Sequence, residues 1–152
     1  MLIEVERGSR NKYELNQATG QMVLQRVLSR ANSFPGDYGH IMHTMCEDGD
    51  PLAVLIVQPA ECGLMMHGLE PGVIALCRIV GVVDMEDESG HDEKLIAVLE
   101  DPRFDHIKEL EHISSHQQKE IQHFFENYKK LEVTVVVHSA AGGVRIDRKA
   151  KL

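Results

Sequence analysis

Residues 47–57 read EDGDPLAVLIV. Asp48 and Asp50 flank Gly49, Pro51 follows, and Ala53-Val54-Leu55-Ile56-Val57 forms an apolar, β-branched run with the composition of a buried strand. Two carboxylates therefore stand at the entrance of a core strand. Asp and Gly are default turn residues, so the DGD triplet by itself marks a turn. It also begins like a calcium loop. Pro51 and the strand behind it, however, exclude the further oxygen ligands and terminal Glu that an EF-hand needs.

Strand-like segments recur on both sides of this stretch, at 2–5, 12–15, 22–27, 73–83 and 95–99. Turn signals separate them: Asn16 to Gly20, Pro35-Gly36-Asp37, Glu70-Pro71-Gly72 and Ser89-Gly90. Short strands punctuated in this way predict a small antiparallel barrel or sandwich. The period then changes. Over 116–130, Ile121, Phe124, Phe125 and Tyr128 recur at helical spacing, which predicts one amphipathic helix with Ser114 and Ser115 as caps. Residues 133–137 return to strand, and the tail over about 139–152, glycine-rich and then basic, is expected to be peripheral. At 152 residues, without a linker or internal repeat, the chain reads as a single domain over 1–152, mainly β with a helix packed on a barrel.

Formal net charge is −8, which disfavours nucleic acid and anionic membrane as partners. The absence of Trp and the 5% aromatic content also leave little for base stacking. Cys46, Cys62 and Cys77 form no CxxC and are odd in number, as expected of reduced thiols in a cytoplasmic protein. No N-terminal segment reads as a signal peptide, and the apolar stretch at 73–77 is far too short to span a bilayer. The nine histidines include no HExxH and no structural zinc spacing, so they read as surface or packed residues. No GxSxG surrounds any serine.

The charged residues carry more. Residues i and i+2 of a strand share a face, and Lys12/Glu14, Asp48/Asp50 and Asp92/Lys94 all have that spacing. Singly, each pair is a solvated strand face or polar turn. Together, carboxylates from several strand ends suit a hard divalent cation such as Mg²⁺, and interleaved cations suit a phosphate substrate. Lys12, Arg26, Lys94 and Lys129 are the candidate cations.

These motifs resemble those of the soluble inorganic pyrophosphatases of family I. The landmarks are IEV at 3–5, KYE at 12–14, FPGDYG at 34–39, DGDP at 48–51, DESGHDEK at 87–94 and HFFENYK at 123–129. The resemblance implies a five-stranded, OB-like closed barrel with flanking helices. It implies Mg²⁺-dependent hydrolysis of pyrophosphate to two phosphates by a cytoplasmic homo-oligomer. Carried over residue by residue, it makes Asp48, Asp87 and Asp92 metal ligands. Asp50 would orient and deprotonate the attacking water, and Glu4 and Glu14 would act through the outer metal shell. Lys12, Arg26, Tyr38, Lys94, Tyr128 and Lys129 would hold the phosphates.

One departure stands out. The family pattern has a further ligand aspartate one residue after DGDP, where this chain has Ala53. Paired divalent cations about 3.5–4 Å apart repel one another, and an anionic ligand offsets that repulsion. Its loss is expected to impair turnover. Ala53 admits three readings: a deliberate change that slows the enzyme, a natural site in which a neighbouring carboxylate such as Glu47 compensates, or a non-catalytic homologue that still binds pyrophosphate or a partner. Phe34 stands where a tyrosine is expected and Asp37 where asparagine is common. The C-terminus lacks the tryptophan-bearing helical ending of the family.

Overall fold

The computed structural model describes residues 1–29, 31–46, 49–58, 67–87, 90–129, 134–140 and 143–149. Its strands are β1 (Leu2–Val5), β2 (Asn11–Asn16), β3 (Gln21–Val27), β4 (Asp37–His40), β5 (Ala53–Ile56), β6 (Cys77–Asp87), β7 (Gly90–Leu99), β8 (Thr134–Ala140) and β9 (Gly143–Lys149). One helix, α1 (Ser115–Asn127), lies between β7 and β8. Five strands form one sheet in the order β1-β4-β5-β7-β6, with β5 and β7 parallel and the other neighbours antiparallel. β2 and β3 form a hairpin, as do β8 and β9.

The chain is thus mainly β with one α-helix, as the sequence predicts. No β1–β6 ladder closes the sheet among the described residues. The outer edge of β1 is instead paired with 72–75, the segment leading into β6: Ile3 N donates to Val73 O, Gly72 N to Ile3 O and Ala75 N to Met1 O. This is also why the strand expected at 73–83 begins only at Cys77. Asp37, expected within the Pro35-Gly36-Asp37 turn, instead opens β4, the short DYGH strand, which the sequence does not predict because Gly and Asp are depleted in strands. Its glycine serves a close approach, since a Cβ on Gly39 would collide with the carbonyl oxygen of Leu2 in β1. Of the acidic run at 87–92, Asp87 ends β6 and pairs with Gly90, and Asp92 lies on β7. Within the segment expected to be a peripheral tail, Gly143–Lys149 is a strand, and the strand expected at 133–137 runs from Thr134 to Ala140.

The sheet is apolar on both faces. On one, Val5, Leu55, Ile96 and Val98 pack with Phe104, Ile107 and Ile113 and with Ile121, Phe124 and Phe125 of α1. On the other, Ile3, Val54, Ile56 and Ala97 gather with Met1 and Ala75. The expected helix forms, but over Ser115–Asn127 rather than 116–130, with Ser115 as its first residue rather than a cap. Ser114 caps it by accepting from Gln117 N at 3.3 Å, and its buried face is the Ile121–Phe124–Phe125 stripe.

Asp37 opens β4 completely buried. Its Oδ1 accepts from Arg7 N at 2.9 Å and Leu69 N at 2.8 Å, and its Oδ2 from Gln58 Nε2 at 3.1 Å. Burial nevertheless holds its pKa above the ordinary 3.8, although these hydrogen bonds and the nearby Arg7 charge pull it down. The folded chain therefore binds this proton more tightly than the unfolded one. The stability linked to it is complete below the unfolded pKa and is lost as pH rises through the folded value.

Replacing Asp37 by Ala strands three donors at about 1–3 kcal/mol each, so a loss of about 3 kcal/mol or more is expected. For a chain of this size that is a fall of about 6 °C or more in Tm. Asp37→Asn keeps the Oδ1 acceptor and avoids burying a charge. Its stability relative to the parent should improve as pH rises above 3.8, which denaturant titration across the acid range will measure.

Candidate active site

A twelve-residue tip between β4 and β5, residues 41–52, carries the DGD triplet. Ile41 N donates to Leu52 O, and Thr44 bridges the two sides by donating to Ile41 O and accepting from Leu52 N. At the end of the tip Cys46 N donates to Asp50 O at 2.7 Å and Gly49 N to Cys46 O at 3.0 Å. Gly49 has φ +86°, a left-handed conformation that glycine adopts without strain. The turn therefore needs Gly between the aspartates, and it holds Asp50 exposed just before β5. Asp48 and Glu47 lie outside the described residues, as does the side chain of Asp87.

The i,i+2 spacing does what the sequence suggested. Lys12 Nζ meets Glu14 Oε1 at 2.6 Å on β2, and Lys94 Nζ meets Asp92 Oδ1 at 2.6 Å on β7. Each lysine is thus positioned by the carboxylate two residues away. Lys12 also pairs across the hairpin with Arg26 of β3, next to a bulge that inserts Gln25.

Tyr38 is the point on which these groups act. Burial pushes its hydroxyl well above the ordinary 10.0, and negative charge at Tyr128, Asp92, Glu4 and Glu14 pushes the same way. A second set surrounds Tyr128, the last residue of the helical turn. Burial raises its pKa, while Lys129 (through charge and a hydrogen bond) and Arg26 lower it and Asp92 raises it. The Arg26 guanidinium lies 5.8 Å from the centre of the Tyr128 ring and the Lys129 ammonium 5.6 Å. Glu4, Glu14, Arg26, Tyr38, Asp92, Tyr128 and Lys129 therefore form one electrostatic neighbourhood, with Lys12 and Lys94 attached through their carboxylates.

An aromatic scaffold fixes the two tyrosines. Phe34 touches Tyr38 at 5.1 Å and Phe124 at 4.9 Å, and Phe124 stacks on Tyr128 at 5.2 Å. The phenyl ring of Phe34, where a hydroxyl was expected, is buried in this contact.

Ala53 occupies a telling position. It is paired with His40 of β4 on one side and Lys94 of β7 on the other, and paired residues share a face of the sheet. A methyl group thus sits between an imidazole and an ammonium-bearing position. His40 itself is a site neighbour that the sequence reading set among packed histidines. Its Nδ1 lies 3.0 Å from Glu4 Oε1, and Leu15 N donates to the same oxygen at 3.1 Å. No local pattern reveals this pair, because 36 positions separate its members and β4 was not recognised as a strand. The signal available was a glutamate inside the apolar strand 2–5, which demands a distant partner.

Among the described residues no three His, Cys, Asp or Glu side chains converge closely enough to enclose a metal ion. The donors that do gather around Tyr38 are carboxylate oxygens, the set suited to a hard cation such as Mg²⁺ rather than to zinc or copper.

The sequence matches the family model described as inorganic pyrophosphatase over residues 1–151. An inorganic pyrophosphatase of Thermus thermophilus is 47% identical over 153 residues, covering 100% of this chain and 83% of its own. One from Corynebacterium glutamicum is 45% identical over 130 residues, covering 86% and 78%. Among solved structures, the Thermus thermophilus enzyme superposes with a TM-score of 0.77 at 49% identity, over 87% of this chain and 72% of that one. The Helicobacter pylori enzyme gives 0.77 at 40% identity, over 86% and 75%. With its acidic and basic groups gathered on two buried tyrosines in this fold, the chain belongs to the inorganic pyrophosphatase family.

Proposed function

We propose that this protein hydrolyses inorganic pyrophosphate to two phosphates with the help of Mg²⁺. The observation that carries the reading is the set of short acid–base contacts, Glu14 with Lys12, Asp92 with Lys94 and Glu4 with His40, together with Arg26 and Lys129 beside the Tyr128 ring. An acidic cup next to a basic one is what a metal–polyanion substrate requires.

Asp48, Asp87 and Asp92 would hold the metal, with Glu4 and Glu14 acting through its outer shell. When bound, Mg²⁺ supplies Lewis acidity and neutralises phosphate oxygens. Lys12, Arg26, Lys94 and Lys129 bind the substrate phosphates and take up charge on the leaving group. Tyr38 and Tyr128 add neutral donors. Because their pKa values lie above the ordinary range, both stay protonated at any working pH. Asp50 takes the proton of the attacking water, which requires that the water reach it within one hydrogen bond.

Ala53 weakens this machinery. A methyl between His40 and Lys94 leaves the metal side of the cup one carboxylate short of the family pattern, and a misplacement of about 1 Å can cost on the order of 100-fold.

The same reading closes the five strands into an OB-like barrel within a single domain over 1–152. Supporting this, 72–75 runs along the outer edge of β1 and continues into β6. Ile3, Val54, Ile56 and Ala97 on the other face of the sheet are also buried, and no helix residue is among the described residues that pack with them. The reading extends to a homo-oligomer in the cytoplasm. Exposed Ile74 and Leu76 suit self-association, and the free thiols of Cys46 and Cys77 suit a reducing compartment. No described helix is long and apolar enough to cross a membrane.

Phosphate release from pyrophosphate should depend on Mg²⁺ and rise about 100-fold in Ala53→Asp. Silence in both proteins would overturn the reading. Asp50→Asn should lower kcat by about 10²–10⁴-fold while pyrophosphate still binds in calorimetry. Tyr38→Phe removes a hydrogen bond to a charged group, worth about 1.5–3 kcal/mol, so kcat/KM should fall about 10- to 100-fold. In alkaline titration of the native protein this variant should also lose a phenolate absorbance phase lying above 10.0. The sign follows from the raised pKa: stability linked to this proton is intact below the unfolded value and lost as pH climbs through the folded one.

A further inference from the structure

We infer that His40 is a positioning residue for Glu4, holding one oxygen of that buried carboxylate so that the other serves the magnesium side of the site. The inference rests on the function proposed above and concerns a residue to which that function assigns no role.

Backbone register makes Glu4 unusual. Ile3 pairs with Gly39 and Val5 with Tyr38, so Glu4 is the extra residue of a β-bulge in β1. Bulges re-aim a side chain, and they recur beside active sites. Here the bulge delivers a carboxylate whose side chain is only 10% exposed. A carboxylate this buried must be hydrogen-bonded or it costs several kcal/mol. Both of its contacts with described residues fall on Oε1: Leu15 N donates to it at 3.1 Å, and His40 Nδ1 lies 3.0 Å from it. Oε2 accepts no hydrogen bond from any described residue. The division of labour is thus between an anchored oxygen and an available one.

His40 suits the anchoring role. An ionised carboxylate only accepts, so a hydrogen bond across this 3.0 Å contact requires the imidazole proton on Nδ1. Its side chain is 7% exposed, at the end of β4, so the ring has little freedom to swing away. Leu15 lies on β2, so the same oxygen ties the hairpin carrying Lys12, Glu14 and Arg26 to the central sheet.

Ala53 makes the arrangement specific to this chain. His40 and Ala53 are directly paired across β4 and β5, and their side chains share a face. A carboxylate at position 53 would offer the imidazole a second anion. The methyl leaves Glu4 as its carboxylate partner.

The test uses His40→Leu, which keeps bulk without a donor, and His40→Asn, whose amide nitrogen lies near the place of Nδ1. Mg²⁺ binding is read by calorimetry without substrate, beside the Mg²⁺ dependence of turnover, melting temperature and the imidazole N–H NMR spectrum. His40→Leu should weaken Mg²⁺ about 10-fold or more, and His40→Asn should stay within about 3-fold of the parent, the scale on which outer-shell partners act. In the parent, the His40 proton should sit on Nδ1 and its signal should move in Glu4→Gln. An unchanged Mg²⁺ affinity in His40→Leu despite a lowered melting temperature overturns the inference, because it makes the pair a structural staple only. So does a parent imidazole protonated on Nε2 alone. If His40→Leu does not fold, a loss beyond about 10-fold in a folded His40→Asn likewise overturns it, and parent-like binding with the Nδ1 proton sustains it. A parent that never hydrolyses pyrophosphate, yet binds Mg²⁺ in a His40-dependent way, would sink the proposed reaction and leave this inference standing.

Discussion

Glu4, Glu14 and Asp92, from β1, β2 and β7, disfavour ionisation of the buried Tyr38 phenol beside the larger effect of its burial, and keeping such acids partnered is the constraint that the rest of the structure answers. Each carboxylate has its own donor close by. Lys12 serves Glu14, Lys94 serves Asp92 and His40 serves Glu4, all within 3.0 Å. The first two pairs come from neighbours on one strand, so they form with the strand. The third joins β1 to β4 and exists only once the sheet is assembled.

The scaffold around the cup is rigid for identifiable reasons. Gly39 lets β4 lie against β1 without a Cβ in the way. Bulges at Glu4, Gln25 and Val80 each shift the register by one residue, and the first two sit beside site residues. The chain of rings from Tyr38 through Phe34 and Phe124 to Tyr128 links β4 to the end of the helix, beside Arg26 and Lys129. Aromatic packing substitutes here for the hydroxyl that Phe34 lacks. Within this frame Ala53 is a local loss. Its backbone pairs in register with His40 and Lys94.

Much of this was legible in the sequence because it is local. The pairs Lys12/Glu14 and Asp92/Lys94 follow from the two-residue strand period, and α1 with its Ser114 cap follows from the helical one. Segments whose state depends on a distant strand were misread. Asp37 read as the end of the Pro35-Gly36 turn and DYGH was not foreseen as a strand, since its glycine and aspartate oppose strand formation locally and are justified only by β1 against Gly39 and by the donors around Asp37. Residues 73–76 looked like the start of β6 and instead cap the edge of β1.

The amino-acid sequence alone determined the chemistry on offer: which strands carry acid–base pairs, where the helix lies, and that a methyl replaces a carboxylate after DGDP. Only the tertiary structure decided which acids share a site, which oxygen of Glu4 is anchored, and what flanks Ala53. The reason is physical. Side-chain period is set by the backbone of one segment, whereas register, bulges and the pairing of buried charges are set by contacts between segments far apart in the chain.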